Sequence, residues 1–320
     1  MTTLRTPSAV PEAAASGASP TPTTVADVPH DDVPGFRHRT LDVEGVRLHL
    51  VDGGDPAAPA IVLLAGFPQT WYAWHKVMTD LVRTYRVIAF DLPGQGHSGR
   101  PVDGYDTGTV ASRIRSAVHE LGLTRYWLVA HDVGAWVAAP YALRGDGTAL
   151  LGVVLMDAGI PGVSLPEAVP LDERAAKLAH FAFHAVPDLP ETLIAGRERE
   201  YVEWFLTRKS AVPGTFGEQD VARYARLLAA DGGLRAVLAY YRAITLSAAQ
   251  NRELAERGQV RVPLLAVSGE QGSIPDMAAA LRPIAADVTG VRISGSGHFI
   301  PDEQPELLLE ALHGFFSRWA

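Results

Sequence analysis

The chain has 320 residues, of which 47% are hydrophobic and 20% charged, and its formal net charge is −8 at pH 7. This composition is typical of a globular protein with one large core and room for an inserted lobe. An acidic balance with no run of lysine and arginine excludes nucleic acids and anionic membrane surfaces as partners, and the lack of cysteine excludes disulfides and thiol chemistry.

The N-terminal stretch is rich in Ala, Pro, Thr and Ser and has no apolar segment. Because such a composition cannot bury enough surface to offset the entropy of ordering, residues 1–35 are predicted to form a disordered tail. A signal peptide is not indicated, and the longest apolar runs, 60–67 and 150–156, are too short to cross a bilayer. The sequence therefore predicts a cytoplasmic protein that does not contact a membrane.

From Phe36 onward, short β-rich runs alternate with helical patterns. Residues 38–43 and 46–51 predict a hairpin around Glu44 and Gly45. Four near-continuous apolar runs predict buried strands, at 61–64, 87–90, 127–130 and 152–156. Helical patterns lie between them, at 109–121 and 135–143. Apolar runs without alternation are typical of a parallel sheet that is covered on both faces.

The pattern changes after Asp157, where residues 160–255 contain no convincing strand. Amphipathic helical segments take their place, at 198–206, 221–228 and 234–244. The earlier alternation then resumes, with a strand at 262–268, a helix after Pro275, a strand at 291–294 and a helix at 306–319. We therefore predict an α/β protein with a mostly parallel, doubly wound sheet, in which a core of residues 36–158 and 256–320 is interrupted by a helical cap at 159–255.

An acidic residue, Asp132, occupies the turn between the strand at 127–130 and the helix at 135–143. Small residues on both sides let a strand turn sharply into a helix and hold the central side chain exposed, which is the pattern of a nucleophile elbow. A carboxylate at this position attacks a saturated carbon that bears a leaving group, and the resulting alkyl ester must then be cleaved by water. The substrates expected for such a nucleophile are epoxides or alkyl halides.

Cleavage of that ester needs a base, and His298 is predicted to supply it from a glycine-rich loop between the last strand and the last helix. A carboxylate must orient the histidine. Two positions could provide it in this topology: Asp157, at the end of the sixth strand, is favoured, and Glu270, after the seventh, is the alternative.

Negative charge develops on the carboxyl oxygen of Asp132 when its ester is cleaved, and this charge requires fixed N–H donors. The turn at 65–69 follows the third strand and is well placed. The backbone N–H groups of Phe67 and Val133 are the predicted oxyanion hole.

The leaving group would decide which reaction occurs. An opening epoxide gives an alkoxide that needs a proton donor, whereas a halide leaves as an anion. Two adjacent tyrosines lie on a helical pattern of the cap, and Tyr241 is the preferred donor, with Tyr240 as its packing neighbour in the pocket.

Taken together, residues 36–319 resemble the α/β-hydrolase fold family, within it the branch of epoxide hydrolases and haloalkane or haloacetate dehalogenases, and in chemistry most nearly the epoxide hydrolases. The motifs that carry the resemblance are GFPQTWYAW at 66–74, DLPGQGHS at 91–98, HDVG at 131–134, YYR at 240–242 and GHF at 297–299. The resemblance implies an α/β-hydrolase fold with a cap, Asp132 as nucleophile, His298 as base and Tyr241 as the cap tyrosine that precedes arginine.

The chain also departs from the pattern of that family. His180 aligns with the second cap tyrosine of epoxide hydrolases, and a histidine there is similar to the fluoroacetate dehalogenases, as is an acid at the end of the sixth strand. Phe181 then stands where those dehalogenases have tryptophan, and Val133 and Trp136 stand near the positions of their substrate-binding arginines. Ala65 replaces a histidine that typically precedes the glycine of the oxyanion turn.

Aromatic residues of the core and cap predict an apolar pocket for a bulky apolar or aromatic substrate, lined by Trp71, Trp74, Trp136, Phe181, Phe183 and Tyr240. The favoured function is an epoxide hydrolase in which Tyr241 and His180 donate to the oxirane oxygen. The alternatives are a dehalogenase with the same nucleophile, and a cyclase or binding protein that does not hydrolyse its ligand. No metal or organic cofactor is expected, the partner is a small-molecule epoxide or halide, and the protein is predicted to be a monomer or homodimer.

Overall fold

The computed structural model describes residues 33–145, 149–168 and 175–319. The predicted tail, residues 1–35, falls almost entirely outside these ranges. Among the described residues, no helix combines the length and the hydropathy that crossing a bilayer requires.

A single eight-stranded sheet forms the centre of the molecule, in the order β1-β2-β4-β3-β5-β6-β7-β8. Its strands are β1 (Phe36–Val43), β2 (Val46–Gly53), β3 (Ala60–Leu64), β4 (Arg86–Phe90), β5 (Tyr126–His131), β6 (Leu150–Met156), β7 (Leu264–Gly269) and β8 (Val288–Ile293). The β1–β2 hairpin turns at Glu44 and Gly45, which both have positive φ, and β2 pairs antiparallel with β4. All other strand pairs are parallel. The predicted mostly parallel sheet is confirmed.

Alternate residues of the buried strands enter two separate hydrophobic clusters, because successive side chains point to opposite faces of a sheet. Val62 and Leu64 of β3 join one cluster, and Ile61 and Leu63 join the other. Helices α1 (His75–Leu81), α11 (Ile300–Glu303) and α12 (Pro305–Trp319) pack together on the face that carries the second cluster. Helices α2 (Thr107–Glu120), α3 (Val133–Arg144) and α10 (Met277–Leu281) cover the face that carries the first. Both faces are therefore buried, which explains the continuous apolar runs.

Between β6 and β7, the described part of the chain forms six helices and no strand. They are α4 (Ala175–Ala185), α5 (Leu189–Ile194), α6 (Glu198–Lys209), α7 (Glu218–Ala229), α8 (Gly233–Arg242) and α9 (Ile244–Arg257). The helix predicted at 234–244 ends at Arg242, and α9 begins two residues later, because the backbone at Ala243 (φ −89°, ψ 1°) leaves the helical region. A continuous amphipathic pattern does not reveal such a bend. Helices α6 and α8 contact the loops that follow β8 and β3, where the candidate site is found.

Candidate active site

Asp132 lies on the sharp turn between β5 and α3, with φ 53° and ψ −123°. Two glycines make room for this turn. A Cβ on Gly66 would lie 2.3 Å from Asp132 Oδ1, and a Cβ on Gly134 would lie 2.3 Å from the carbonyl oxygen of Leu64. Both distances are far below van der Waals contact, so a side chain at either position would displace the carboxylate or the strand below it. The turn thus holds the carboxylate close against the loop that follows β3.

The backbone N–H of Phe67 donates a 2.7 Å hydrogen bond to Asp132 Oδ1. Val133 is the first residue of α3, where N–H groups have no acceptor within the helix. Its nitrogen would lie 2.6 Å from a Cβ on Gly66, so it faces the same small space as the carboxylate. Of the two donors predicted from the sequence, Phe67 therefore contacts Asp132 directly and Val133 lies beside it.

His298 lies in the loop between β8 and α11 and faces two carboxylates. Its Nδ1 lies 2.7 Å from Asp157 Oδ2, which makes Nδ1 the protonated nitrogen of a neutral ring. Its Nε2 lies 3.3 Å from Asp132 Oδ2, in a contact that lacks the alignment of a hydrogen bond. The imidazole is 2% exposed. The carboxylates of Asp132 and Asp157 thus flank the imidazole of His298, one at each ring nitrogen.

Asp157 follows β6 with φ 42° and is almost fully buried. Besides His298, the backbone N–H groups of Ser273 (2.7 Å) and Ile274 (3.0 Å) donate to its carboxylate. Glu270 is exposed, and its carboxylate accepts a 2.9 Å hydrogen bond from the backbone of Gly295. The structure brings Asp157 to His298 and leaves Glu270 at the surface.

These contacts shift the pKa values of Asp132, Asp157 and His298. Burial alone would raise the pKa of Asp132, but contact with His298 and the positive charges of His298 and Lys209 outweigh it and hold that pKa well below the ordinary value. Burial likewise opposes ionisation of Asp157, and its hydrogen bonds lower its pKa on balance. Burial and Lys209 lower the pKa of His298, yet the contacts with Asp132 and Asp157 raise it on balance. Both carboxylates are therefore ionised, and together they favour the charged form of His298 more than water would.

The two adjacent tyrosines of α8 have different environments. Tyr240 donates from its hydroxyl to the carbonyl of Pro93 at 2.9 Å and packs against Tyr105. Tyr241 lies in a group of rings near Asp132, 6.0 Å from Phe67 between ring centroids. Burial and the negative charge of Asp132 raise the pKa of Tyr241 well above the ordinary value, so it remains a phenol at neutral pH.

His180 and His184 lie one helical turn apart on α4 and both face Tyr241, with ring centroids 5.8 Å and 4.4 Å away. Burial lowers the pKa of His180 well below its ordinary value, with Lys209 adding to the shift. Burial lowers the pKa of His184 to about 3. Both rings are therefore neutral, and His184 also forms a short hydrogen bond with the hydroxyl of Tyr201. The sequence singled out His180 but gave no role to His184, although their spacing places both on one face.

The predicted pocket residues separate into two sets. Phe181 and Trp136 lie 5.5 Å and 5.4 Å from the Tyr241 ring, and Phe183 packs beside His184. A cavity of about 300 Å³ adjoins Tyr241 and Phe181 and is lined mainly by apolar cap side chains. Trp71 and Trp74 are instead packed in the hydrophobic cluster on the opposite face of the sheet. The structure does not bring these two tryptophans, or the hydroxyl of Tyr240, to the rings around Tyr241.

Two further residues at the site had no role in the sequence analysis. His131 packs under His298 at 4.6 Å between ring centroids, and its Nε2 lies 2.8 Å from the carbonyl oxygen of His298. Burial lowers the pKa of His131 to about 4, so the ring is neutral and donates to that carbonyl. Lys209, at the end of α6, accepts a 3.0 Å hydrogen bond at its carbonyl from the N–H of His298. In the sequence, His131 was noted only as part of the HDVG motif that contains Asp132. No local pattern in the sequence indicated a role for Lys209.

Known proteins with similar sequences and structures share this fold. A family model described as the alpha/beta hydrolase fold matches residues 59–305. A soluble epoxide hydrolase from Corynebacterium sp. (strain C12) is 30% identical over 284 residues, which cover 88% of this chain and 97% of the relative. A fluoroacetate dehalogenase from Burkholderia sp. is 29% identical over 296 residues, covering 88% and 94%. The crystal structure of Cfl2 from Burkholderia cenocepacia is 52% identical, with a TM-score of 0.87, and covers 93% of this chain and 100% of that one.

Proposed function

The chain belongs to the alpha/beta hydrolase fold family, and from this premise we propose that it is an epoxide hydrolase that works through an ester on Asp132. The observation that carries the proposal is the pairing of an ionised carboxylate at the nucleophile turn with a buried phenol, Tyr241, above it. A carboxylate supports attack on a saturated carbon, and a phenol supplies the proton that an opening epoxide requires. The 30% identical soluble epoxide hydrolase supports the same reaction.

In the first step, Asp132 Oδ2 attacks an oxirane carbon while Phe67 N–H holds Oδ1. The carbon–oxygen bond of the ring breaks, and the oxygen takes a proton from Tyr241, with His180 as a second N–H donor. The product is a hydroxyalkyl ester of Asp132. Because the ionised carboxylate of Asp132 is buried, water solvates its charge poorly. This makes the carboxylate more reactive towards the oxirane carbon.

In the second step, His298 Nε2 takes a proton from a water molecule, and the water oxygen attacks the carbonyl carbon of the ester. The negative charge on Oδ1 is stabilised by the N–H groups of Phe67 and Val133. When this intermediate collapses, the diol leaves with a proton returned from His298. The carboxylic acid left on Asp132 then releases its water-derived proton, and Tyr241 takes one up through solvent, which restores the carboxylate and the phenol. Asp157 holds the ring by its Nδ1–H and stabilises the imidazolium.

Diol formation from a panel of neutral apolar and aromatic epoxides, measured against halide release from matched alkyl halides, tests this assignment. Diol without halide release is the expected result. A dehalogenase is the second candidate, favoured by the 29% identical fluoroacetate dehalogenase and by the neutral His180 beside the site. Halide release with no diol would establish it in place of the epoxide hydrolase.

Replacing Asp157 with asparagine is expected to reduce turnover by about 10²–10⁴-fold, because an amide neither fixes the reactive tautomer of His298 nor stabilises its charged form. The matched control is Glu270→Gln, which changes the alternative acid and is expected to keep turnover within about threefold of the parent, as for an exposed substitution away from the site. Steady-state diol formation by both variants is the measurement. A large loss in Glu270→Gln with a small one in Asp157→Asn would move the role to Glu270.

The two chemical steps are expected to differ in their pH dependence. Asp132 has a lowered pKa and so stays ionised as the pH falls through the ordinary carboxyl range near ~4, which keeps ester formation nearly constant. Ester hydrolysis needs a neutral His298, and it should fall about tenfold per pH unit below the pKa of that group in the ester. Esterification removes the charge of Asp132, which had raised the pKa of His298, whereas burial and Lys209 continue to lower it. Single-turnover kinetics from pH ~5 to ~8 resolve both steps, and a parallel fall in both rates would contradict this scheme.

A further inference from the structure

The buried carboxylate of Glu303 has no part in the proposed reaction, yet it contacts the loop that carries His298. Glu303 is the last residue of α11 and is 7% exposed. Its Oε1 accepts a hydrogen bond from the N–H of Phe299 at 2.9 Å, and its Oε2 accepts from those of Gly297 (2.9 Å), Ala211 (2.6 Å) and Val212 (3.1 Å). Because a buried carboxylate is costly without such donors, these four N–H groups are what stabilise Glu303 in this position.

Two of the four donors are the residues on either side of His298. Gly297 and Phe299 both donate to Glu303, and the N–H of His298 itself donates to the carbonyl of Lys209 at 3.0 Å. Three consecutive N–H groups of residues 294–299, here called the histidine loop, are therefore fixed, two of them by one side chain. A loop has no helix or strand ladder to fix its backbone, so the direction of the imidazole depends on contacts of this kind.

The other two donors, Ala211 and Val212, directly follow the end of α6. Gly297 lies so close to this segment that a Cβ on it would be 2.5 Å from the carbonyl oxygen of Lys209 and 2.6 Å from the nitrogen of Ala211. Both distances are below van der Waals contact, so only glycine fits between them. The carboxylate of Glu303 thus joins the histidine loop and residues 211–212 at a place where the two backbones already touch.

The proposed base has to be placed accurately in two directions. Its Nδ1 lies 2.7 Å from Asp157 Oδ2, and its Nε2 lies 3.3 Å from Asp132 Oδ2. A displacement of about 1 Å can slow a reaction on the order of 10²-fold, because the reacting groups are no longer aligned. In the proposed mechanism only ester hydrolysis uses His298, so only that step should depend on how the histidine loop is held.

We propose that Glu303 is a positioning residue for His298. It holds the base between Asp157 and the ester through the N–H groups of Gly297 and Phe299, and it fixes the same loop to the end of α6. Glu303 touches neither the substrate nor the reacting atoms. The inference rests on the proposed function, in which His298 acts in ester hydrolysis, and deepens it by adding a residue to that step.

The test is Glu303→Gln, which keeps the size of the side chain. Its amide has one acceptor oxygen, and its NH₂ group would face an N–H donor that the second carboxylate oxygen had accepted. Ester hydrolysis should slow by about 10–10²-fold, the range expected for a displacement of up to about 1 Å. Ester formation on Asp132 should change little, so the ester should accumulate. Rapid quenching with intact-protein mass spectrometry measures the formation and the decay of the ester separately.

A second measurement does not depend on turnover. A histidine N–H that is bonded to a carboxylate gives a low-field proton resonance, and the resonance of His298 Nδ1–H is assigned by its absence from His298→Gln. In folded Glu303→Gln, this resonance should move or broaden, because the ring is held less firmly against Asp157. A carboxylate that only stabilised the fold would leave the resonance of the folded protein unchanged.

Glu306→Gln is the matched control, three residues further along the chain. It removes the same charge from an exposed position in the first turn of α12. Both rates and the resonance should stay as in the parent, as for an exposed substitution away from the site. Glu303→Met removes both acceptor oxygens and should slow ester hydrolysis further than Glu303→Gln. If Glu303→Met does not fold, the comparison of the two glutamine variants still decides the question.

Two results would overturn the positioning role. One is ester hydrolysis as fast in Glu303→Gln as in Glu306→Gln. The other is an equal loss of both steps in Glu303→Gln with the His298 resonance unchanged. In either case the proposed function stands. If the parent forms no ester on Asp132 from any epoxide or halide, the proposed function falls, and the resonance alone then decides whether Glu303 positions the ring.

Discussion

Replacing His298 with glutamine is expected to stop the reaction with the substrate still attached to Asp132. In the proposed mechanism, ester formation requires the carboxylate and the proton donor Tyr241 but no base, whereas ester hydrolysis requires a base, so the second step loses more than the first. Loss of general base catalysis reduces turnover by about 10²–10⁴-fold. Intact-protein mass spectrometry after a brief incubation should show a single adduct, and peptide mapping should place it on Asp132.

The mass of this adduct also identifies the leaving group. An epoxide adds its whole mass, because the ring oxygen stays on the alkyl chain, and an alkyl halide adds its mass less that of the hydrogen halide. Asp132→Asn is the control and should give no adduct with either class. The covalent scheme would be wrong if His298→Gln gave no adduct from a substrate that the parent enzyme converts, or if the adduct formed on another residue.

Replacing Tyr241 with phenylalanine is expected to slow the opening of epoxides but not the hydrolysis of the ester. In the proposed mechanism the buried phenol donates a proton to the alkoxide that forms when the ring opens, so its loss should reduce kcat/KM for epoxides by about 10²-fold or more. Hydrolysis of an ester already formed on Asp132 should change little, because His298 and Asp157 carry that step. Pre-steady-state rates of adduct formation and decay measure the two effects separately.

Tyr240→Phe is the matched control, one residue away on the same helix. Its hydroxyl bonds to Pro93 rather than facing the rings above Asp132. This variant is expected to keep epoxide turnover within about threefold and to lose about 1 kcal/mol in free energy of unfolding, the usual effect of one buried hydrogen bond. If ring opening survived in Tyr241→Phe and failed in His180→Ala, the donor would be the histidine.

The features that could be predicted from the sequence alone depend on residues that are close together along the chain. The continuous apolar runs at 61–64 and 127–130 predicted strands buried on both faces, since only a covered parallel sheet tolerates such runs. The turn around Asp132 carried its own geometric requirement for small neighbours, and Gly66 and Gly134 satisfy it in the structure. The position of His298 in the loop between the last strand and the last helix was predicted from the order of these elements along the chain.

Other assignments depended on the direction in which a side chain points, which the order of the strands along the chain does not reveal. Both Asp157 and Glu270 follow parallel strands, so both were expected near the same edge of the sheet. Only the backbone beyond each strand decides which carboxylate turns inward, and the N–H groups of Ser273 and Ile274 hold Asp157 there. Trp71 and Trp74 follow the oxyanion turn closely in sequence, yet they pack under the opposite face of the sheet.

The sequence by itself therefore determined the sheet, the family resemblance and the chemical identity of a carboxylate at the nucleophile turn, because each depends on residues that are neighbours along the chain. Only the tertiary structure decided what surrounds that carboxylate. Lys209 is 77 positions from Asp132 in the chain, and it comes close because α6 ends against the histidine loop. Contacts between a cap and a core are set by how helices pack, and no local periodicity records them.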